Sequence, residues 1–280
     1  MTLSRCTPLY PTHLPLNPVQ KGAVALLSAV GALLKPARGD LVAVVGETTG
    51  EWLLPSIRDR MQRDPVGRLI LADRPRVTNA TVDYCRTLPP DTFGAAYARF
   101  MGDRRFLADD RPPVRFVEDA ELAYVITRVR EVHDFWHTLF DCHTNVFGEI
   151  ALKGLEFVQT GLPMTGLAAL GAQYRLSPAD REVMQRQFLP WALRAGSRCS
   201  DLMCIYYEKH FEDNLEQMRR EFRIITAPQP PEHLRFKGPK TQPPPQQQQQ
   251  QQTQLQQQQL LPVLQQQQQL PGTAGTAAGA

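Results

Sequence analysis

Between Val117 and Phe140 the chain carries neither proline nor glycine, and Val125, Val129, Val132 and Trp136 recur at spacings of four, three and four. That recurrence is the period of one buried stripe along an α-helix. A helix so long and so apolar on one side has to be covered by other elements, and the flanking sequence offers mostly more helices. Asn17-Pro18 supplies a cap followed by proline at the first helical position, opening an apolar helix to about Leu34. Further helices are expected near 49–63, 66–72, 79–87 and 92–103, with proline-rich breaks at 87–91 and 111–114. A helix from about Thr144 to Thr160 ends at Gly161-Leu162-Pro163, Pro178 opens another, and 192–225 reads as one or two more. Asp40 to Val45 is the one strand-like run. No repeat is visible, and the expected fold is an all-α domain with short connections.

The helical pattern does not fill the chain. From Pro228 the composition turns to proline, then to glutamine runs at 246–252, 256–259 and 265–269, then to glycine, threonine and alanine. Such residues bury too little apolar area to offset the entropy of ordering, so 228–280 reads as a disordered tail. Residues 9–227 then form one helical domain after a short N-terminal segment, 1–8, and a core of that length is ample for independent folding. Residues 1–39 contain no acid, as in a transit peptide, yet Arg5 is the single base before Lys21 and Pro8, Pro11, Pro15 and Pro18 oppose an amphipathic helix.

Composition excludes several classes of function. Net charge is +3, with the charges mixed along the chain and no lysine/arginine block, so a nucleic-acid partner is not expected. Arginines 58 to 63 alternate with aspartate as on a solvated helix face. The five cysteines are an odd count with no Cys-x-x-Cys, which argues against a disulfide framework or a thiolate zinc site and suits a reducing compartment. The apolar stretches 22–34 and 161–172 are too short to span a bilayer. Burial in the core is the default expectation for both, with a lipid pocket or a membrane surface as the alternatives.

One constellation carries chemistry. His133, Asp134 and His137 are followed after eleven residues by Glu149. At about 100° per residue, His137 sits about 40° from His133 one turn on, and Asp134 lies about 100° round from His133 and about 60° from His137, in reach of the same point. Glu149 would lie about 24 Å away along an unbroken helix, so the pattern requires a reversal. Asp141-Cys142-His143-Thr144-Asn145 is polar enough for that turn, with Thr144 or Asn145 capping the returning helix. A helical hairpin would then clamp a divalent metal between two imidazoles and two carboxylates. Mixed nitrogen and oxygen ligands suit zinc, with manganese, iron or magnesium as alternatives. Cys142 and His143 fall in the turn and read as structural.

Other readings are weaker. A zinc peptidase needs His-Glu-x-x-His, and Asp134 stands where the glutamate would be. Gly46-Glu47-Thr48-Thr49-Gly50 lacks the ending of a phosphate loop and reads as a helix-entry turn. Lys153 and Glu156 share a face with Glu149, and an ion pair between them is the simpler reading against a Lys153 that holds a substrate carboxylate near the metal.

The chain resembles the mitochondrial ubiquinone-biosynthesis protein four family. The resemblance rests on His133-Asp134-x-x-His137 with Glu149, on Leu9-Tyr10-Pro11, on residues 40–50, on Arg63-Asp64-Pro65 and on Glu121-Leu122-Ala123-Tyr124-Val125. It continues through Gly148-Glu149-Ile150, residues 158–164, Pro190-Trp191-Ala192 and Tyr206-Tyr207-Glu208, covering roughly 9–228. It implies an all-α fold, His133, Asp134, His137 and Glu149 as ligands of Zn2+ or another divalent metal, and a peripheral place on the matrix side of the mitochondrial inner membrane. The implied partners are other ubiquinone-biosynthesis enzymes in a multi-subunit complex, the membrane surface and a polyprenylated benzoate substrate; a homodimer is compatible. The implied reaction is removal of the C1 carboxyl of 4-hydroxy-3-methoxy-5-polyprenylbenzoate, giving 2-methoxy-6-polyprenylphenol and CO2, with an oxidative version also considered for the family. The alternative is a non-catalytic, prenyl-lipid-binding scaffold with a structural metal.

Overall fold

The computed structural model describes residues 8–34 and 38–235, the side chain of Leu33 excepted. The expected glutamine-rich tail from 236 onward and Cys6 lie outside the described residues. Among those described, twelve α-helices, five 3-10 turns and one π-helical segment, Met184–Phe188, account for the regular structure, with no strand and a single isolated bridge between Thr92 and Asn214. The all-α expectation holds.

The long helix, α7, spans Ala120–Phe140 and begins three residues later than the apolar pattern suggests. Asp119 sets that start by accepting hydrogen bonds from the backbone N–H of Glu121 and Leu122 at 2.8 and 2.9 Å. The stripe predicted along α7 is buried: Val125, Val132 and Trp136 have no exposed surface, and Val129 has 6%. Trp136 donates to the Tyr207 hydroxyl at 2.9 Å, which donates on to the Leu202 carbonyl at 2.9 Å. Phe135 packs edge-on against Tyr97, ring centroids 4.5 Å apart, and against Phe93 at 5.5 Å. Emptying such a position by truncation to alanine typically costs about 3–5 kcal/mol.

Two returns position the functional region. Helix α7 ends where Asp141 takes a left-handed conformation (φ 54°), and helix α8, Val146–Thr160, starts under a cap from Asn145, whose side-chain oxygen accepts from the Gly148 N–H at 2.8 Å. Gly161 at φ 70° closes α8, and Pro163 opens α9, Pro163–Gly171. Gly154 of α8 and Gly196 of α11, Leu189–Arg198, lie at the contact between those two helices: a Cβ on Gly154 would touch Ala192, and one on Gly196 would touch Val158.

Three expectations are corrected. The run Asp40–Val45 is not a strand; it forms the first half of α2, Gly39–Gly50. A short run of valines is ambiguous by period alone, and tertiary contacts decide it here. The buried positions Val45, Gly46, Glu47 and Gly50 follow helical spacing. The Glu47 carboxylate accepts from the backbone N–H of Arg115 and Phe116 at 2.7 and 2.8 Å and from Arg130 at 2.7 Å. The apolar segments 22–34 and 161–172 are core only in part: Leu162 and Ala169 are buried, but much of the apolar surface of both segments faces outward. The first forms most of α1, Pro18–Leu34, which packs on α2, as does α9. Leu26, Leu27 and Leu34 are 66%, 71% and 77% exposed, and Leu167 and Leu170 of α9 are both 67% exposed. Finally, order continues past residue 227. Ala227 N–H donates to the Phe140 carbonyl at 2.7 Å, Pro230 is buried, and Asn145 donates to the Leu234 carbonyl. The prolines of 228–231 are therefore laid against the α7–α8 turn.

Candidate metal centre

Helices α7 and α8 form the hairpin that the sequence requires, and they bring three of the four expected ligands together. His133 Nε2 lies 3.1 Å from His137 Nε2, His137 Nε2 lies 3.1 Å from Glu149 Oε1, and His133 Nε2 lies 3.7 Å from Glu149 Oε2. Two nitrogens bound to one tetrahedral zinc at 2.0–2.1 Å stand about 3.3 Å apart. Among the described residues, His133, His137 and Glu149 are the group of potential ligand atoms with metal-like mutual distances.

The other ring nitrogens fix which atoms face the centre. His137 Nδ1 lies 3.0 Å from the Cys142 carbonyl oxygen. A carbonyl can only accept, so this nitrogen carries the proton and Nε2 presents a lone pair. His133 Nδ1 contacts the Glu156 carboxylate, which likewise takes a proton donor. In their neutral forms both imidazoles thus turn bare lone pairs toward a carboxylate and toward each other. Three electron-pair donors with no proton between them form a cradle for a cation. Phe100 stacks on the His137 ring, centroids 5.3 Å apart, and holds its plane.

The charges respond accordingly. Burial and the Lys153 charge press His133 toward its neutral form, but the Glu156 and Glu149 carboxylates outweigh them and push it up to about 9. Burial works against ionised Glu149, yet the two imidazoles hold its carboxyl well below the usual range. Burial likewise opposes ionised Glu156, but Lys153 and His133 bring it down to about 2. Without a metal, a proton supplies the missing positive charge. Glu149 retains 38% side-chain exposure while His137 retains 1%, so the cradle opens to solvent along the glutamate.

Asp134 is placed differently. Its Oδ2 lies 2.5 Å from Arg111 Nη2, outside the cluster of three. Cys142 is buried and contributes its carbonyl, with burial pushing its thiol up. Neither Cys142 nor His143 joins the donor cluster. Lys153 Nζ sits 2.6 Å from Glu156 Oε2 and 3.4 Å from His133 Nδ1. The simpler ion-pair reading of these two residues therefore holds, and the pair stands behind His133 rather than before the metal position.

A family model described as coenzyme Q (ubiquinone) biosynthesis protein Coq4 matches residues 10–228. The chain belongs to this family. Its relatives include a human ubiquinone biosynthesis protein COQ4 homolog, mitochondrial, 46% identical over 79% of this chain and 84% of the relative. The Aspergillus terreus ubiquinone biosynthesis protein coq4, mitochondrial, is 44% identical over 80% of this chain and 79% of its own length. A crystal structure from Nostoc punctiforme superposes with a TM-score of 0.58 at 21% identity, covering 72% of this chain and 97% of the other, a likeness that speaks to the fold alone. Membership gives this Coq4-family chain a part in ubiquinone biosynthesis, and the matched region contains the whole α7–α8 hairpin.

Two contributors had no sequence signal. Arg111 lies 23 positions before Asp134 in a proline-rich break, and Phe100 stands on α6, Phe93–Arg104. Glu156 was legible only as a member of an ion pair, although its offset of seven from Glu149 places both on one face of α8.

Proposed function

We propose that the chain is a metal-dependent carbon–carbon lyase of ubiquinone synthesis, which removes the C1 carboxyl of 4-hydroxy-3-methoxy-5-polyprenylbenzoate to give 2-methoxy-6-polyprenylphenol and CO2. The observation that carries this reading is the convergence of His133 Nε2, His137 Nε2 and Glu149 at 3.1–3.7 Å, beside an opening to solvent. These donors fit a divalent cation, zinc first, and when bound it would act as a Lewis acid that orients the substrate carboxylate or phenolate.

His133, His137 and Glu149 would hold the metal, while Asp134 is paired with Arg111. With Asp134 held by Arg111, three side chains would hold the metal and room would remain for a substrate oxygen. Three protein ligands with one open position are the pattern of catalytic rather than structural zinc, so the Arg111–Asp134 pair supports catalysis over a closed scaffold site.

The chemistry needs little else from the protein. The ring hydroxyl para to the carboxyl ionises, its charge reaches C1, and C1 takes a proton. The C–C bond then breaks, CO2 leaves and the ring regains aromaticity. Lys153 is engaged by Glu156, so the proton enters with water on the Glu149 side.

The mitochondrial names of the relatives support that compartment for this chain, on the matrix side of the inner membrane and beside other enzymes of the pathway. Among the described residues no helix is long and apolar enough to cross a membrane. The uncharged outer residues of α1 and α9, with Trp52 77% exposed, support contact with a membrane surface and with the polyprenyl tail. Purified, zinc-loaded protein should release CO2 from the prenylated acid, and His133→Ala should not. Equal turnover by the two proteins overturns the metal-centred reading.

A further inference from the structure

Glu156 is nearly sealed from solvent, with 2% side-chain exposure, at a position that the reaction itself does not use. One carboxylate oxygen meets His133 Nδ1, and the other accepts from Lys153 Nζ at 2.6 Å. A buried carboxylate that served only as a partner for Lys153 would have no need to meet the imidazole. One that served only as a metal ligand would lie on the Nε2 side, and Glu156 is absent from the donor cluster.

We propose that Glu156 is a positioning residue for the metal. It accepts the Nδ1 proton of His133, holds the ring in the tautomer whose Nε2 lone pair faces Glu149 and His137, and is itself held in place by Lys153. His137 gains the same tautomer from the Cys142 carbonyl, so each imidazole has its own anchor. The His133 anchor spans 23 residues and links α7 to α8, so the contact that selects the tautomer also sets the spacing between the helix that bears the histidines and the helix that bears Glu149. Carboxylates in this relation to a metal-bound histidine typically contribute roughly 10- to 100-fold to metal affinity.

The inference rests on the metal reading above, and its test measures binding instead of turnover. The full chain, stripped of metal, is titrated with zinc against a chromophoric chelator and with cobalt(II) by visible absorption. The variants are Glu156→Gln, Glu156→Asp and the double variant Glu156→Gln/Lys153→Met. The double variant removes both charges together, so no ammonium is left buried without a partner. Glu156→Gln should bind zinc roughly 10- to 100-fold more weakly, with a changed cobalt spectrum, and Glu156→Asp should recover part of the loss. The double variant should remain weak while its melting temperature returns toward the parent value. If the double variant regains parental affinity, Glu156 is merely the partner of Lys153 and the inference fails. It also fails if Glu156→Gln binds as tightly as the parent. A parent that binds neither ion overturns the metal reading itself.

Discussion

Gly148→Ala tests whether the α7–α8 turn sets the position of Glu149. An ideal Cβ at Gly148 would lie 1.9 Å from the His143 carbonyl oxygen, 2.7 Å from its carbon and 3.0 Å from its nitrogen. Cβ atoms essentially never approach closer than 3.0 Å, so the backbone has to part by at least about 1 Å. All three obstructing atoms are main chain, and no rotamer change relieves them. One side of the clash is the residue next to Glu149; the other is the turn whose Cys142 carbonyl anchors His137. Metal ligands tolerate displacements of about 0.2 Å, so a shift five times larger on either side should break the cluster. The strain of overpacking is about 1–3 kcal/mol. At about 2–4 °C per kcal/mol for a domain of this size, the melting temperature should fall by several degrees. Zinc affinity, measured by chelator competition, should fall by at least the ten-fold associated with a disturbed site. Gly102→Ala is the control: no atom lies within 4 Å of the added methyl, and at this exposed position of α6 it should leave zinc binding unchanged. If Gly148→Ala binds zinc as tightly as the parent and melts at the same temperature, the claim that this turn has no slack is wrong.

Two further predictions concern the frame around the site. Arg130→Met leaves Glu47 buried with its backbone donors but without its guanidinium, and should cost about 3–5 kcal/mol in a urea titration; a loss below 1 kcal/mol would show that the two N–H donors suffice. Leu27→Asp with Leu170→Asp, both on exposed positions, should weaken sedimentation with phosphatidylcholine–cardiolipin vesicles and leave the melting temperature within a degree or two; unchanged vesicle binding would remove α1 and α9 from the membrane surface.

Local signals proved reliable where local contacts decide structure. The proline-free stripe of α7, the Asn145 cap, the Gly161 stop and the Pro163 start each act within a few residues, and each could be read directly. The convergence of His133, His137 and Glu149 was legible for the same reason: a hairpin of two regular helices turns spacing into geometry. What failed was long-range. Asp40–Val45 reads as a strand until Arg115, Phe116 and Arg130 are seen to meet the Glu47 carboxylate of a helix. Asp134 sits at the spacing of a ligand, and its diversion depends on Arg111, which no periodicity connects to it. Pro228 to Pro231 look like the start of a tail because proline composition does not reveal that the α7–α8 turn offers them a surface.

The left-handed Asp141, the Asn145 cap and the close approach of Gly148 to His143 also make the segment from His133 to Glu149 a ruler. Adding or deleting one residue within α7 or α8 on the site side of the turn would rotate a ligand by about 100° and slide it by about 1.5 Å. No loop between them is long enough to absorb the change. Natural variation in this stretch should therefore take the form of exchanged side chains at constant length. Insertions should instead gather in connections outside it, such as the one joining α5, Asn79–Arg86, to α6.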